Sequence, residues 1–224
     1  MDGFISKRIM DSLIKKIFLP ISTFLLLLNS ANAAVVPTPN HKTVHQNNWV
    51  TAQKAGFTKG AQEAGFSLGV GAGAKIFGST VRHDHALAYA HYGRITSNLL
   101  NQGHWYAGNV ALRTELIAGA QFSPDSRYII GATFGPRYYF ATSSRWVPFI
   151  DLGVGAGATD ISHPDLSTTF EFFLQFSAGT LYKLNETTAL SFKVQEFHIS
   201  NAGMDDPNNG ANTIMFIGGL SWFF

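Results

Sequence analysis

From residue 105 onward the chain alternates, apolar then polar, in stretches of ten or more residues separated by turn-rich breaks. Even-numbered positions carry the apolar side chains. They include Tyr106, Val110, Leu112 and Leu116; Tyr128, Ile130, Phe134 and Tyr138; and Trp146, Ile150, Leu152 and Val154. Further on come Phe170, Phe172, Leu174 and Phe176; Leu190, Phe192 and Val194; and Ile214, Phe216, Leu220, Trp222 and Phe224. Odd positions hold the polar set: Asn109, Arg113, Glu115, Arg137, Asp151, Glu171, Gln175, Lys193 and Gln195. A period of two is the signature of β-strands, because successive side chains point to opposite faces. Eight such segments are expected, at about 61–74, 84–97, 105–122, 127–140, 146–159, 168–183, 187–200 and 212–224, forming an all-β fold.

Parity alone does not say which face meets solvent. A soluble barrel would bury its apolar face; a transmembrane barrel turns that face to lipid and keeps polar groups inside. Composition, the aromatic C-terminal end and a secretory signal favour the membrane version. Nineteen Phe and 22 Gly accompany only 13% charged residues, against about 25% in ordinary soluble domains. The chain also ends on Trp222-Phe223-Phe224, suited to an interfacial aromatic girdle. The expected architecture is therefore an eight-stranded antiparallel transmembrane β-barrel of the outer membrane, spanning residues 61–224. Residues 34–60, polar and Pro/Asn/Lys-containing, read as a flexible lead-in.

The first 33 residues read as a removable secretory signal. Lys7, Arg8, Lys15 and Lys16 precede an apolar run at 17–28, and Ala31-Asn32-Ala33 fits the small-x-small cleavage pattern. That leader holds four of the 16 basic and two of the 14 acidic residues, leaving 12 of each and no net formal charge. A neutral chain without a basic stripe gives no reason to expect nucleic acid as a partner. Cysteine is absent, so neither disulfides nor a thiol nucleophile enter.

The odd-parity charges Arg113, Arg137 and Lys193 balance Glu115, Asp151 and Glu171. Their mutual pairing would plug an interior that eight strands leave just wide enough for side chains. Gly-Val-Gly-Ala-Gly-Ala occurs at 69–74 and again at 153–158. It superficially fits a dinucleotide fingerprint, but that motif requires a following helix. The six odd-parity glycines more plausibly make room for large charged side chains in the lumen. His83 and His85 flank Asp84; a metal pair lacks a third ligand at usable spacing, and a polar loop tip is the plainer reading.

One segment carries chemistry. His198 and Ser200 lie two positions apart near the end of the seventh segment, so they share one face of a strand. That face is the even, lipid-facing one, together with Glu196. Serine becomes a nucleophile when a neighbouring base takes its proton, and a histidine within reach supplies that base. Polar groups on a lipid-facing wall are costly except near the interface, so a cluster of three there is a functional-site candidate. The long connection after Ser200, rich in Asn, Gly, Asp and Pro, falls on the extracellular side if both termini are periplasmic.

His198-Ile199-Ser200-Asn201-Ala202-Gly203, followed by Asp206-Pro207-Asn208-Asn209-Gly210 and a last apolar strand, resembles the PagL-type lipid A deacylases, also described as acyloxyacyl-hydrolase-like. The likeness covers about 145–224, where Pro148-Phe149-Ile150-Asp151-Leu152-Gly153 and residues 179–184 are also similar. It implies a serine esterase in the outer membrane that hydrolyses the ester-linked 3-O acyl chain of lipid A. It also implies His198 as general base, Ser200 as nucleophile, and Asn201 with Gly203 as oxyanion hole. No metal or organic cofactor is implied. The partner is lipopolysaccharide in the outer leaflet, and a homodimer is compatible with such a barrel.

The chain departs from the family pattern at the third catalytic position, where the acid aligns with Asn212. An amide oxygen fixes an imidazole tautomer but supplies no charge. Glu196, two residues before His198 on the same face, ranks next as the acid, and the loop residues Asp205 and Asp206 last. A non-enzymatic structural or adhesive barrel with a degenerate site is the rival expectation. A soluble periplasmic lipid-binding barrel is a third.

Overall fold

A computed structural model describes residues 57–224, except His163. The expected signal segment and most of the expected flexible lead-in lie outside these residues. Eight strands form: β1 (Gln62–Gly73), β2 (Asp84–Ile95), β3 (Gly108–Ser123), β4 (Arg127–Phe140), β5 (Trp146–Thr159), β6 (Phe170–Lys183), β7 (Thr188–Ser200) and β8 (Ala211–Phe223). All neighbours are antiparallel, and β1 closes on β8, so the sheet is a barrel without a free edge. Closure matters in a membrane, where an unpaired backbone edge has no water to satisfy it.

Parity holds around the whole barrel, including the two weakly patterned first strands. Even positions face outward as a belt of large apolar side chains, with Leu68 and Phe216 each 64% exposed. Odd positions face the lumen and are buried, Arg113, Glu115, Arg137, Gln175 and Lys193 among them. An apolar exterior around a polar interior is the membrane arrangement, and it removes the soluble-barrel reading.

The lumen is stacked in layers. Phe57, Tyr139, Phe149, Leu181 and Phe223 pack at the end where β1 begins and β8 finishes. Phe173, Phe197, Ile199, Met215 and Ile217 pack toward the opposite, distal end. Between them lies the ionic belt. Arg113 contacts Glu115 at 3.1 Å and Asp151 at 3.3 Å, Lys193 contacts Glu115 at 3.2 Å, and Arg137 pairs with Asp151.

Three expectations about the interior need correction. Glu171 does not join the belt: near the distal end it accepts a hydrogen bond from Thr168 Oγ1 at 2.8 Å. Its place among the acids is taken by Glu63, bonded to Tyr139, Ser221 and His91. The repeated glycines clear space chiefly for uncharged side chains. A Cβ on Gly69 would meet Ile217, and one on Gly153 would meet Gln175. Nor is Phe57 part of a flexible lead-in: it is fully buried, with ring centroids 5.1 Å from Tyr139 and 4.8 Å from Phe223.

His83 and His85 are not an exposed loop tip either. His83 is buried between Gln121 (2.6 Å) and Asp165 (2.8 Å), and His85 bonds Thr213 at 3.0 Å in the lumen. Among the described residues no cluster of His and acidic side chains could hold a metal.

Candidate active site

The distal end of β7 builds the site. Glu196, His198 and Ser200 all lie on its outward face, half-buried. Across the sheet they stand opposite Phe176, Leu174 and Phe172 on β6, while β8 places Ile214 beside Glu196 and Asn212 beside His198. The register therefore fixes His198 next to Asn212 although fourteen residues separate them in sequence.

His198 Nδ1 lies 2.7 Å from Asn212 Oδ1. Which amide atom faces the ring follows from the other side of Asn212: Nδ2 donates to the carbonyl of Ile76 at 2.8 Å. With the amide turned that way its oxygen can only accept, so Nδ1 carries the proton and Nε2 keeps its lone pair. An imidazole with a free Nε2 is the form a general base needs. Asn212 is completely buried on a wall that otherwise faces lipid, because the β1–β2 connection folds over it. In that connection the Phe77 ring meets His198 edge-on, centroids 6.4 Å apart.

The Ser200 hydroxyl has no hydrogen bond among the described residues. Catalytic hydrogen bonds are often long or misaligned before substrate arrives, and the shared face keeps the hydroxyl on the side of the imidazole. Gly210, with φ +76°, gives the ring its place: a Cβ there would lie 2.7 Å from His198 Cε1.

Asn201 and Gly203 start the long β7–β8 connection. Met204 N–H donates to the Asn201 carbonyl at 3.2 Å across Ala202 (φ 56°) and Gly203 (φ 79°). Two consecutive positive φ angles are those of a type I′ turn, which favours glycine. Asn201 Oδ1 accepts the Gly203 N–H at 2.9 Å. The Asn201 amide donates to Ser167 and the Asp205 carbonyl, and its backbone N–H donates to Asn208 Oδ1. Every donor of the expected oxyanion pair is thus committed, within the loop or to Ser167 of the β5–β6 connection. Asn208 Nδ2, which sequence reasoning did not single out, has no hydrogen bond among the described residues.

The other acid candidates stand apart from the imidazole. Glu196 shares the face, but its Oε1 is buried without a hydrogen-bond partner, and His198 Nδ1 is taken by Asn212. Asp205 Oδ1 caps the N–H of Asp206, and both residues are exposed.

The family model for lipid A 3-O-deacylase (PagL) matches residues 94–221, more than half of the 224-residue chain. The chain belongs to the PagL family. Among solved structures it resembles the outer membrane enzyme PagL at 18% identity, covering 70% of this chain and 98% of that one, with a TM-score of 0.51. Neisserial surface protein A is similar at 10% identity, covering 74% and 100%, also with a TM-score of 0.51. At such identities the likeness is one of fold, an outer-membrane barrel of eight strands. No curated protein matches the chain in sequence. In the PagL family frame the matched stretch contains β3 to β7, most of β8 and the His198–Ser200 pair, but not the β1–β2 connection that covers Asn212.

Proposed function

We propose that the protein is a serine esterase that removes the 3-O acyl chain of lipid A from the lipid-facing wall of its barrel. The observation that carries this reading is the Ile76–Asn212–His198 hydrogen-bond chain, which leaves Nε2 free on the face shared with Ser200. Ser200 Oγ attacks the ester carbonyl while its proton passes to His198 Nε2. The tetrahedral intermediate collapses, the C–O bond to the sugar breaks, and the imidazolium returns the proton to the leaving hydroxyl. Water, deprotonated by the same nitrogen, then releases the fatty acid from Ser200. The ester sits at the boundary between headgroup and chains, so a nucleophile at the outer-leaflet end of β7 meets it without lifting the lipid from the membrane.

Asn201 and Gly203 are placed in this scheme as the oxyanion side. The Gly203 N–H serves there by exchanging its bond to Asn201 Oδ1 for the developing oxyanion; Asn208 Nδ2 needs no such exchange. Glu196 is left without a part in proton transfer. Lipopolysaccharide is the partner in this reading, and no observation supports the homodimer.

A second reading, an adhesive or structural barrel with a spent site, draws on one fact: Asn212 supplies no negative charge to an imidazolium. Mass spectrometry of lipid A from cells expressing the wild type or Ser200→Ala separates the two. The esterase reading expects lipid A one acyl chain lighter with the wild type alone. Identical acylation in both strains would leave the structural role.

A further inference from the structure

The connection between β1 and β2 makes a β-turn over residues 76–79, in which Ser79 N–H donates to the Ile76 carbonyl at 3.1 Å. Its central residues, Phe77 (φ 52°) and Gly78 (φ 105°), both have positive φ. Glycine adopts that conformation freely, but a bulky residue there is a genuine outlier. Such outliers persist where the surroundings over-determine them, and they cluster at functional sites. Phe77 is also 76% exposed, so burial of its ring does not compensate the strain. Its defined contact is the edge-on packing against His198.

The turn is fastened at both ends. At its start, Gly73 N–H donates to Asp84 Oδ1 at 2.7 Å, and Ala74 N–H to the Asn212 carbonyl at 2.9 Å. At its far end, Asp165 from the β5–β6 connection receives Ser79 Oγ (3.3 Å), Thr80 N–H (3.0 Å), Thr80 Oγ1 (2.5 Å), Val81 N–H (2.9 Å) and His83 Nε2 (2.8 Å). The Asp165 carbonyl meanwhile takes the Asn209 N–H at 2.8 Å, which ties in the β7–β8 connection. Three connections converge on one buried residue: its own, the β1–β2 connection through its carboxylate, and the β7–β8 connection through its backbone carbonyl.

We propose that the turn at residues 76–79 is a working wall of the active site, and that Asp165 is the positioning residue that latches it there. The turn does two things for His198. Its Ile76 carbonyl holds the Asn212 amide in the one orientation that presents oxygen to Nδ1, and its Phe77 ring keeps the imidazole from swinging off the strand. The chain thereby replaces a charged partner by a neutral one whose direction is fixed from behind. The turn lies outside the stretch matched by the family model, which begins at residue 94, whereas Asp165 lies within it. This inference rests on the Ser200–His198 esterase reading and adds what aims the histidine.

An amide is then required at residue 212 rather than merely tolerated. A carboxylate there would face the Ile76 carbonyl oxygen-to-oxygen, at a spacing the amide spans with a hydrogen bond. The test compares the full chain with Asn212→Asp, Asp165→Ala, Phe77→Gly and Ser200→Ala in detergent micelles. Fatty acid released from lipid A is one readout, and the ring-nitrogen NMR shifts of His198 in ¹⁵N-histidine-labelled protein are the other. Phe77→Gly relieves the backbone strain, so it isolates the ring without threatening the fold.

The expected result is that Asp165→Ala and Phe77→Gly each lower release roughly tenfold, because a base held off its working geometry loses part of its catalytic contribution. Asn212→Asp is expected to release no more than the wild type, and Asp165→Ala to replace the single Nδ1–H tautomer by a mixture. Release by Asn212→Asp above wild type, with wild-type rates in the other two and an unchanged His198 spectrum, would overturn the proposal. If the wild type releases no more than Ser200→Ala, the esterase reading fails instead. The spectrum of Asp165→Ala then decides the inference by itself: a mixture upholds the latch, and an unaltered tautomer sinks it.

Discussion

An amide beside a histidine does half of what a carboxylate does. Asn212 Oδ1, 2.7 Å from His198 Nδ1, selects the tautomer and holds the ring plane, but in the proposed mechanism it would add nothing to the stability of an imidazolium that had taken the Ser200 proton. Replacing it by alanine removes the selection as well. Asn212→Ala is therefore expected to lower the rate of fatty-acid release by about ten- to a hundredfold, within the range that general-base catalysis contributes. The KM for lipid A should change little, since Asn212 is completely buried beneath the turn and meets the imidazole, not the lipid. A matching rise in KM would mean that residue 212 touches substrate. Gly210 gives an independent handle on the same ring. Alanine there puts a methyl 2.7 Å from His198 Cε1 and strains a residue at φ +76°. Gly210→Ala should cut the rate of release while leaving the barrel folded by circular dichroism, and wild-type rates in that variant would show that the ring does not sit where the geometry has it.

At the scale of elements, the latch on the β1–β2 connection has its own pH dependence. Burial raises the Asp165 pKa, but hydrogen bonds from Thr80, His83 and the N–H groups of Val81 and Thr80 outweigh it and hold the carboxyl at about 2, below its ordinary 3.8. A depressed carboxylate contributes stability above its unfolded pKa and loses it as pH falls through the folded one. The connection should therefore stay docked above pH about 4 and loosen between about 4 and 2, read as proteolytic nicking or hydrogen exchange confined to residues 74–83. Asp165→Asn should loosen it at neutral pH, and protection that stays flat down to pH 2 would contradict the assignment. His83 is the titratable side chain in direct contact with this carboxylate.

This element was also where the sequence said least. The alternation at even positions located β4 and β5 to the residue and put His198, Ser200 and Asn212 on one outward face, because a period of two is a local property. The contact between Ile76 and Asn212 joins residues 136 apart, and nothing local announces it. The His83-Asp84-His85 run attracted a metal or loop-tip reading for the same reason. Its histidines are buried by Gln121, Asp165 and Thr213, which arrive from three distant segments. Phe57 was lost in a polar stretch whose composition masked a single anchoring ring.

The whole barrel is held from within by ions it cannot easily lose. Glu115 receives Lys193 at 3.2 Å, Arg113 at 3.1 Å and Gln175 Nε2 at 2.8 Å, all in the layer between the two apolar plugs. Desolvating these groups is expensive, and the belt is balanced only while every partner is present. Removing one acid strands buried cations, which costs roughly 3–5 kcal/mol, a large share of an ordinary domain's stability. Glu115→Ala should therefore lower the urea midpoint in micelles and erase the difference in gel mobility between unheated and boiled samples at a lower temperature than wild type. Glu171→Ala is the control. That carboxyl lies outside the belt and meets Thr168 near the distal end, so its removal should shift the midpoint far less. Equal shifts from the two substitutions would mean that the ionic layer is not what secures the lumen. A barrel secured from its lumen leaves its outer face free to carry polar side chains, because the cost of holding His198, Ser200 and Glu196 on that face is met by the stability of the interior as a whole.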